Sequence, residues 1–226
     1  MILRMRHRLS LSTTVIVSAA IAIGCKHSAA GAVVTAQHKE STSVSRKGWV
    51  DVSSSGFTIS LPADIHVKDL SQADVNAMMD RAKQKRPAEQ KVLNAVKKDA
   101  ANGQLKLVAT LKYATATGFH NALAVLVKPN TGSKTYEELL RLNEKSLERI
   151  SEPGSVISKK ITLPCGTAIR IQSSHLRPRA ATTANTSYLI IHDNQLYVFS
   201  FVSLLDDKDE WRATAQLAVE SLKFDH

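Results

Sequence analysis

Two cysteines, Cys25 and Cys165, are the side chains of this 226-residue chain that could most readily act as nucleophiles. Cys165 lies in a predicted turn, residues 163–167, between two runs with the alternating pattern of strands. A thiol there could be catalytic, but most free cysteines are small buried apolar residues, and we expect that role for Cys165. If Cys25 is acylated, Cys165 has no partner in the chain, so no internal disulfide is expected.

The sequence lacks the short motifs that usually announce enzymatic chemistry. It contains no Gly-x-Ser-x-Gly, His-Glu-x-x-His, Cys-x-x-Cys or Gly-x-Gly-x-x-Gly pattern. We therefore expect no catalytic residue and no cofactor, and a non-catalytic protein. The alternative is a hydrolase whose nucleophile, Cys165 or a serine, meets its base only in the fold.

The histidines and acidic residues show no metal-binding spacing. His66, His120, His175 and His192 fall on separate predicted strands and loops, so no metal site is expected. His192 precedes Asp193, but neighbours on a strand point to opposite faces, which favours a solvated turn. Asp206, Asp207, Asp209 and Glu210 suit the first turn of a helix, where the dipole favours negative charge.

A basic stretch is the best candidate for contact with an anionic partner. The chain carries a net charge of +10, and the expected contact residues are Arg81, Lys83, Lys85, Arg86 and Lys91. They could meet anionic lipid or a cell-wall polymer, although such a stripe is more often the solvated side of an amphipathic helix. Nucleic acid is not expected as a partner, because aromatic residues are not interleaved with the basic ones.

The N-terminus has the pattern of an export signal. Three arginines within the first eight residues precede an apolar run, Leu9 to Ile23, which is shorter than the ~20 residues that span a bilayer. The sequence Ala-Ile-Gly-Cys, ending at Cys25, resembles a bacterial lipobox, with alanine in place of the usual leucine at its start. It predicts lipidation of Cys25 and a membrane anchor. The alternative is cleavage after Ala32, which would give a periplasmic or secreted protein.

These signals divide the chain into a lipoprotein signal peptide (1–24), a flexible tether (25–47) and one globular domain (48–226). Hydrophobic periodicity in the domain predicts the order ββ-α-ββ-α-ββ-β-α. Hairpin connections favour a mainly antiparallel sheet. Two runs with no polar face, residues 122–127 and 196–202, imply helices on both faces of that sheet. The predicted class is α+β, an α/β/α sandwich.

Three segments resemble the PsbP-like superfamily: the Phe-x-Ile-x-Leu-Pro strand at 57–62, the hairpin at 188–201, and Ser-Leu-Lys-Phe at 221–224. This superfamily includes bacterial envelope lipoproteins of the DcrB type, the extrinsic photosystem II protein and a Ran-binding import factor. The resemblance implies an α/β/α sandwich and an adaptor, assembly or binding role without an established catalytic constellation. It carries no site residue onto this chain.

Together these observations predict an exported, lipid-anchored, non-catalytic binding or assembly module of the bacterial cell envelope. We expect it to bind an envelope protein or a small ligand on one sheet face or loop edge. The alternatives are the exported hydrolase and a basic module that binds anionic lipid or cell-wall polymer.

Overall fold

The computed structural model describes residues 47–68, 98–112, 119–132, 134–148, 151–175 and 182–225. The expected signal peptide, Cys25 and almost all of the tether lie outside these ranges. So do the five basic residues expected to contact an anionic partner, Arg81, Lys83, Lys85, Arg86 and Lys91.

Within the described ranges, ten strands form two antiparallel sheets. They are β1 Trp49–Ser54, β2 Phe57–Pro62, β3 Ile65–Lys68, β4 Leu105–Leu111, β5 Ala122–Pro129, β6 Ile157–Leu163, β7 Gly166–His175, β8 Thr183–His192, β9 Gln195–Leu204 and β10 Lys223–Phe224. The large sheet has the order β3-β4-β5-β9-β8-β7-β6, and the small one has the order β1-β2-β10. The predicted α+β class and the mainly antiparallel sheet are confirmed.

Two complete helices lie in the described ranges, α1 Tyr136–Leu147 and α2 Lys208–Glu220, and residues 98–101 are also helical. A capping box, whose Thr-x-x-Glu pattern stands in the sequence, opens α1: the Glu138 amide donates to Thr135 Oγ1 at 3.3 Å, and the Thr135 amide donates to Glu138 Oε2 at 3.0 Å. Among the helices described here, none is both long and apolar enough to cross a membrane.

The buried side chains fall into two main clusters on alternating positions of the large sheet. The α1-side cluster joins Leu139 and Leu147 of α1 to strand residues such as Ala124 and Leu126. The α2-side cluster joins α2 to the intervening strand positions, Leu123 and Val125 among them. Strand β5 contributes to both because successive side chains point to opposite faces. This confirms the prediction that residues 122–127 form a buried strand.

The sequence predicted the β1–β2 hairpin within a single sheet, but this hairpin joins β10 in a separate small sheet. Phe57, Ile59 and Leu61 of β2 are fully buried in the α2-side cluster, so this sheet shares that side with α2. Strand β10 is only two residues long and pairs with β2 after α2 has returned the chain. A strand of two residues is too short to show an alternating sequence pattern, so its pairing with β2 defines it.

The hairpin between β8 and β9 includes the segment 188–201 and turns at two residues in the left-handed region. Asp193 and Asn194 have φ values of 45° and 57°. Positive φ at both central residues is the geometry of a type I′ turn, whose twist matches that of the strands, and Asp and Asn tolerate it better than most residues.

Candidate functional site

A pocket of about 210 Å³ lies between the start of α2 and the large sheet. Lys208, Trp211 and Arg212 form its helical wall. The sheet contributes a floor that includes Ile157, Gln172, Ser174, Thr186, Phe201 and Ser203.

Strand register brings these floor residues together from distant parts of the sequence. Gln172 of β7 lies opposite Ile157 of β6 and Thr186 of β8, and Thr186 lies opposite Phe201 of β9. In the neighbouring row, Ala184 lies between Ser174 and Ser203. The same face of these strands is apolar farther along, where Ala168, Ile190 and Tyr197 belong to the α2-side cluster. The small polar side chains therefore mark where the core gives way to the pocket.

Three hydrogen-bond donors on the pocket residues are buried and have no acceptor among the described residues: Gln172 Nε2, Trp211 Nε1 and Arg212 Nε. Trp211 is only 4% exposed. An unpaired buried donor costs about 1–3 kcal/mol, and native proteins contain few of them. Three such donors lie around one pocket, where a ligand or ordered water would satisfy them.

The walls of the pocket are fixed by aromatic packing that continues into the core. The Phe201 ring meets the Trp211 ring edge-on at 6.2 Å, and the Tyr188 ring meets Phe201 in the same way at 6.1 Å. Burial raises the pKa of Tyr188 to about 12, although Arg170 and Arg212 oppose the rise. The phenol is therefore neutral at physiological pH and cannot serve as a base.

Comparison with solved structures identifies the architecture. The solution structure of cyanobacterial PsbP (CyanoP) from Synechocystis sp. PCC 6803 matches with a TM-score of 0.51 and 10% sequence identity. The match covers 82% of this chain and 98% of that chain. The fold is PsbP-like.

Two other solved structures match with lower TM-scores. LpqN, involved in cell envelope biogenesis of Mycobacterium tuberculosis, has a TM-score of 0.46 at 10% identity, with 79% of this chain and 91% of that chain covered. Protein PA94 from Pseudomonas aeruginosa has a TM-score of 0.41 at 9% identity, with 50% and 80% covered. No family model matches the sequence. No curated protein matches it either.

Cys165 occupies the turn of the PsbP-like domain between β6 and β7. Its side chain packs against the α2-side cluster, and burial raises the pKa of the thiol. A raised pKa reduces the thiolate fraction at neutral pH, and the thiolate is the reactive form. This environment suits the small apolar role that the sequence predicts.

His192 and Asp193 are closer than strand geometry predicts. Their Nε2 and Oδ2 atoms are 3.5 Å apart, because Asp193 already belongs to the positive-φ turn and no longer follows strand alternation. The His192 ring stacks on Phe224 of β10 with a centroid distance of 4.0 Å. The Asp193 side chain is 81% exposed, as expected for a turn. Within the described ranges no group of three His, Cys, Asp or Glu side chains could hold a metal ion.

The acidic residues near α2 lie at its beginning, as predicted. Asp209 and Glu210 fall in the first turn, and Asp209 Oδ1 accepts from Arg212 Nη1 at 3.1 Å. Asp207 occupies the N-cap position without a side-chain capping hydrogen bond. These positions agree with stabilisation by the helix dipole.

The opposite face of the sheet carries a polar cluster that the sequence did not reveal. Ser173 Oγ lies 3.3 Å from His175 Nε2, and the two residues are 3% and 7% exposed. On the neighbouring strands, Asn185 Nδ2 donates to Ser187 Oγ at 3.0 Å, and Ser187 and Ser200 share a hydrogen bond of the same length. The alternating polar residues at 173, 175, 185 and 187 are the sequence pattern that could have indicated this polar cluster.

Proposed function

We propose that this protein is an exported, lipid-anchored, non-catalytic binding module of the bacterial cell envelope. The observation that carries the binding role is the pocket beside α2, with three buried donors that lack acceptors in the described structure. The export pattern before Cys25 supports the location, and the PsbP-like fold is compatible with a binding or assembly role.

The chemistry of the pocket supports binding over catalysis. Its lining, as far as the structure describes it, contains no His, Cys, Asp or Glu side chain. General acid–base catalysis needs a group that exchanges a proton near the working pH, and these residues most often supply it. Amide, indole and guanidinium groups can instead hold a ligand by hydrogen bonds.

The anchor is the part of this proposal that can be tested without knowing the ligand. Metabolic labelling with a palmitate analogue should label the protein, Cys25→Ala should abolish the label, and Cys165→Ala should leave it unchanged. Label that persists in the Cys25→Ala variant would rule out acylation at that position.

We extend the proposal to the complete layer arrangement, an α/β/α sandwich of the kind found in DcrB-type envelope lipoproteins. The separate clusters formed by α1 and α2 support it. Helical residues 98–101 support it as well, because Ala100 packs against the α1-side cluster.

A second candidate function is the exported hydrolase, which the contact between Ser173 and His175 favours. A serine hydrogen-bonded to a histidine can be activated as a nucleophile. Both residues are nearly inaccessible, however, which disfavours attack on a substrate. A fluorophosphonate probe tests the point: labelling that Ser173→Ala removes would establish a hydrolase, and an unlabelled folded protein would eliminate this candidate.

A further inference from the structure

We propose that the pocket beside α2 binds a small molecule that carries an oxyanion group, either a carboxylate or a phosphate. This ligand class rests on the binding role proposed above and specifies what fills the pocket. Four side chains carry the inference: Gln172, Lys208, Trp211 and Arg212.

Three of the four unpartnered buried atoms on the lining residues are donors that require an acceptor. The fourth, Asn185 Oδ1, is an acceptor, and its amide lies with Ser187 on the opposite face of the sheet. Gln172 Nε2, Trp211 Nε1 and Arg212 Nε are donors. An indole and a guanidinium offer no acceptor in return, so a ligand with its own N–H groups would not satisfy them. Carboxylate and phosphate groups are acceptor-only when ionised, and their several oxygens could serve more than one of these donors.

The charges around the pocket select for an anion. Lys208 and Arg212 line it, and no acidic residue does so within the described structure. Asp209 binds Arg212 Nη1, and its side chain is 77% exposed. That contact holds the guanidinium by its outer nitrogen, while Nε has no partner among the described residues. A charge-assisted bond to Nε would be stronger than a bond between neutral groups.

The size and remaining lining of the pocket limit the rest of the ligand. At about 210 Å³ it is smaller than the ~300–1,000 Å³ typical of sites for drug-sized molecules. Ile157 and Phe201 add apolar surface beside the polar groups. A short organic acid or phosphate ester therefore fits better than a lipid or a folded partner.

The donors must become accessible when the ligand enters. All three atoms are buried in this structure, whereas Gln172 and Arg212 as whole residues are only partly buried. Rotation of these two side chains would expose their nitrogens, and rotamer changes of this size are common on binding.

Trp211 provides a direct reporter of binding. The chain has only two tryptophans, so ¹⁵N-labelled full-length protein should give two indole N–H signals, which Trp49→Phe assigns. Titration with butyrate and with inorganic phosphate should shift the Trp211 signal saturably for at least one of them. The neutral isostere butyramide should leave it in place. The anion that binds with the higher affinity shows whether the pocket prefers a carboxylate or a phosphate.

Three variants connect the shift to the pocket. Gln172→Glu replaces a donor with a negative charge and should abolish binding, and Arg212→Gln should weaken it about tenfold or more, since hydrogen bonds to charged groups are worth ~1.5–3 kcal/mol. Arg141→Gln removes an exposed charge on α1, on the other side of the sheet, and should have no effect.

Three results would overturn the proposed ligand class. The first is the absence of a saturable shift of the Trp211 signal when either anion is raised to concentrations well above the millimolar range. The others are a shift of equal size with butyramide, or an equal loss of anion binding in the Arg141→Gln variant. A shift with butyramide would leave the binding role intact and exclude only the oxyanion. Failure of palmitate labelling would bear on the anchor alone.

Discussion

Replacing Gln172 with methionine should stabilise the protein, an unusual result for a substitution in a partly buried position. Gln172 Nε2 is buried without an acceptor among the described residues. Such a donor costs about 1–3 kcal/mol, and methionine keeps the length of the side chain while removing the amide. Loss of a hydrogen bond to the amide oxygen would lower the free energy of unfolding by about 1 kcal/mol and so reduce this gain. The net expected gain is about 1 kcal/mol.

The gain can be measured as a shift in thermal midpoint. For a domain of about 150–250 residues, 1 kcal/mol corresponds to about 2–4 °C. Gln216→Met is the matched control, because Gln216 lies on the exposed side of α2 and its Nε2 donates to Glu220 Oε1 at 3.0 Å. We expect the control to change stability by less than about 0.5 kcal/mol in urea unfolding.

The opposite sign would refute this reasoning. If Gln172→Met lowers the free energy of unfolding by about 1 kcal/mol or more, the amide has a partner and the pocket is not short of acceptors. If the midpoint rises and anion binding is lost in the same variant, the pocket maintains its donors at a cost in stability. Such a trade-off is typical of sites kept for function.

Three further predictions concern the rest of the chain. Thr135→Ala should lower the free energy of unfolding by about 1 kcal/mol in urea titrations, because it removes the N-cap of α1, whereas an unchanged value would show that the capping box contributes nothing. Cys165 should react with a disulfide reagent more slowly in the folded than in the unfolded protein, and the pH midpoint of the folded protein's reaction rate should be shifted upward. The contribution of the protonated thiol to the free energy of unfolding should be complete at low pH and decline as pH rises above the unfolded-state pKa of ~8.5. The full-length protein should bind anionic vesicles, and the binding should weaken with added salt and on replacement of the five basic residues by glutamine; binding that ignores salt would contradict the electrostatic basis. Those five residues are Arg81, Lys83, Lys85, Arg86 and Lys91.

The parts of the fold that periodicity could predict are those whose patterns are long and self-contained. The unbroken apolar run at 122–127 forms β5, buried on both faces. Trp211, Ala215 and Ala218 recur at helical spacing in the sequence and are buried on the inner side of α2. The capping box at Thr135 is equally local, since both of its hydrogen bonds join residues three apart. In each case the signal and the structure it specifies lie within a few turns or one strand.

The small sheet and the pocket depend on contacts between distant segments. Strand β10 exists because α2 delivers two residues to the edge of β2. The pocket combines Gln172 with Trp211, which meet because the register of four strands assembles the floor and α2 packs beside it. Gln172 and Ser174 did interrupt the inward face of β7 with polar side chains, but without knowledge of the partner helix that pattern is equally typical of an exposed strand end.

The N-terminus of the protein isolated from its native envelope is the most direct test of the account. Intact-mass and peptide mass spectrometry should find a chain that begins at Cys25 and carries the added mass of acyl groups. A soluble cytosolic pool with Met1 intact, or a secreted chain that begins after Ala32 without lipid, would contradict the proposal of a lipid-anchored envelope protein.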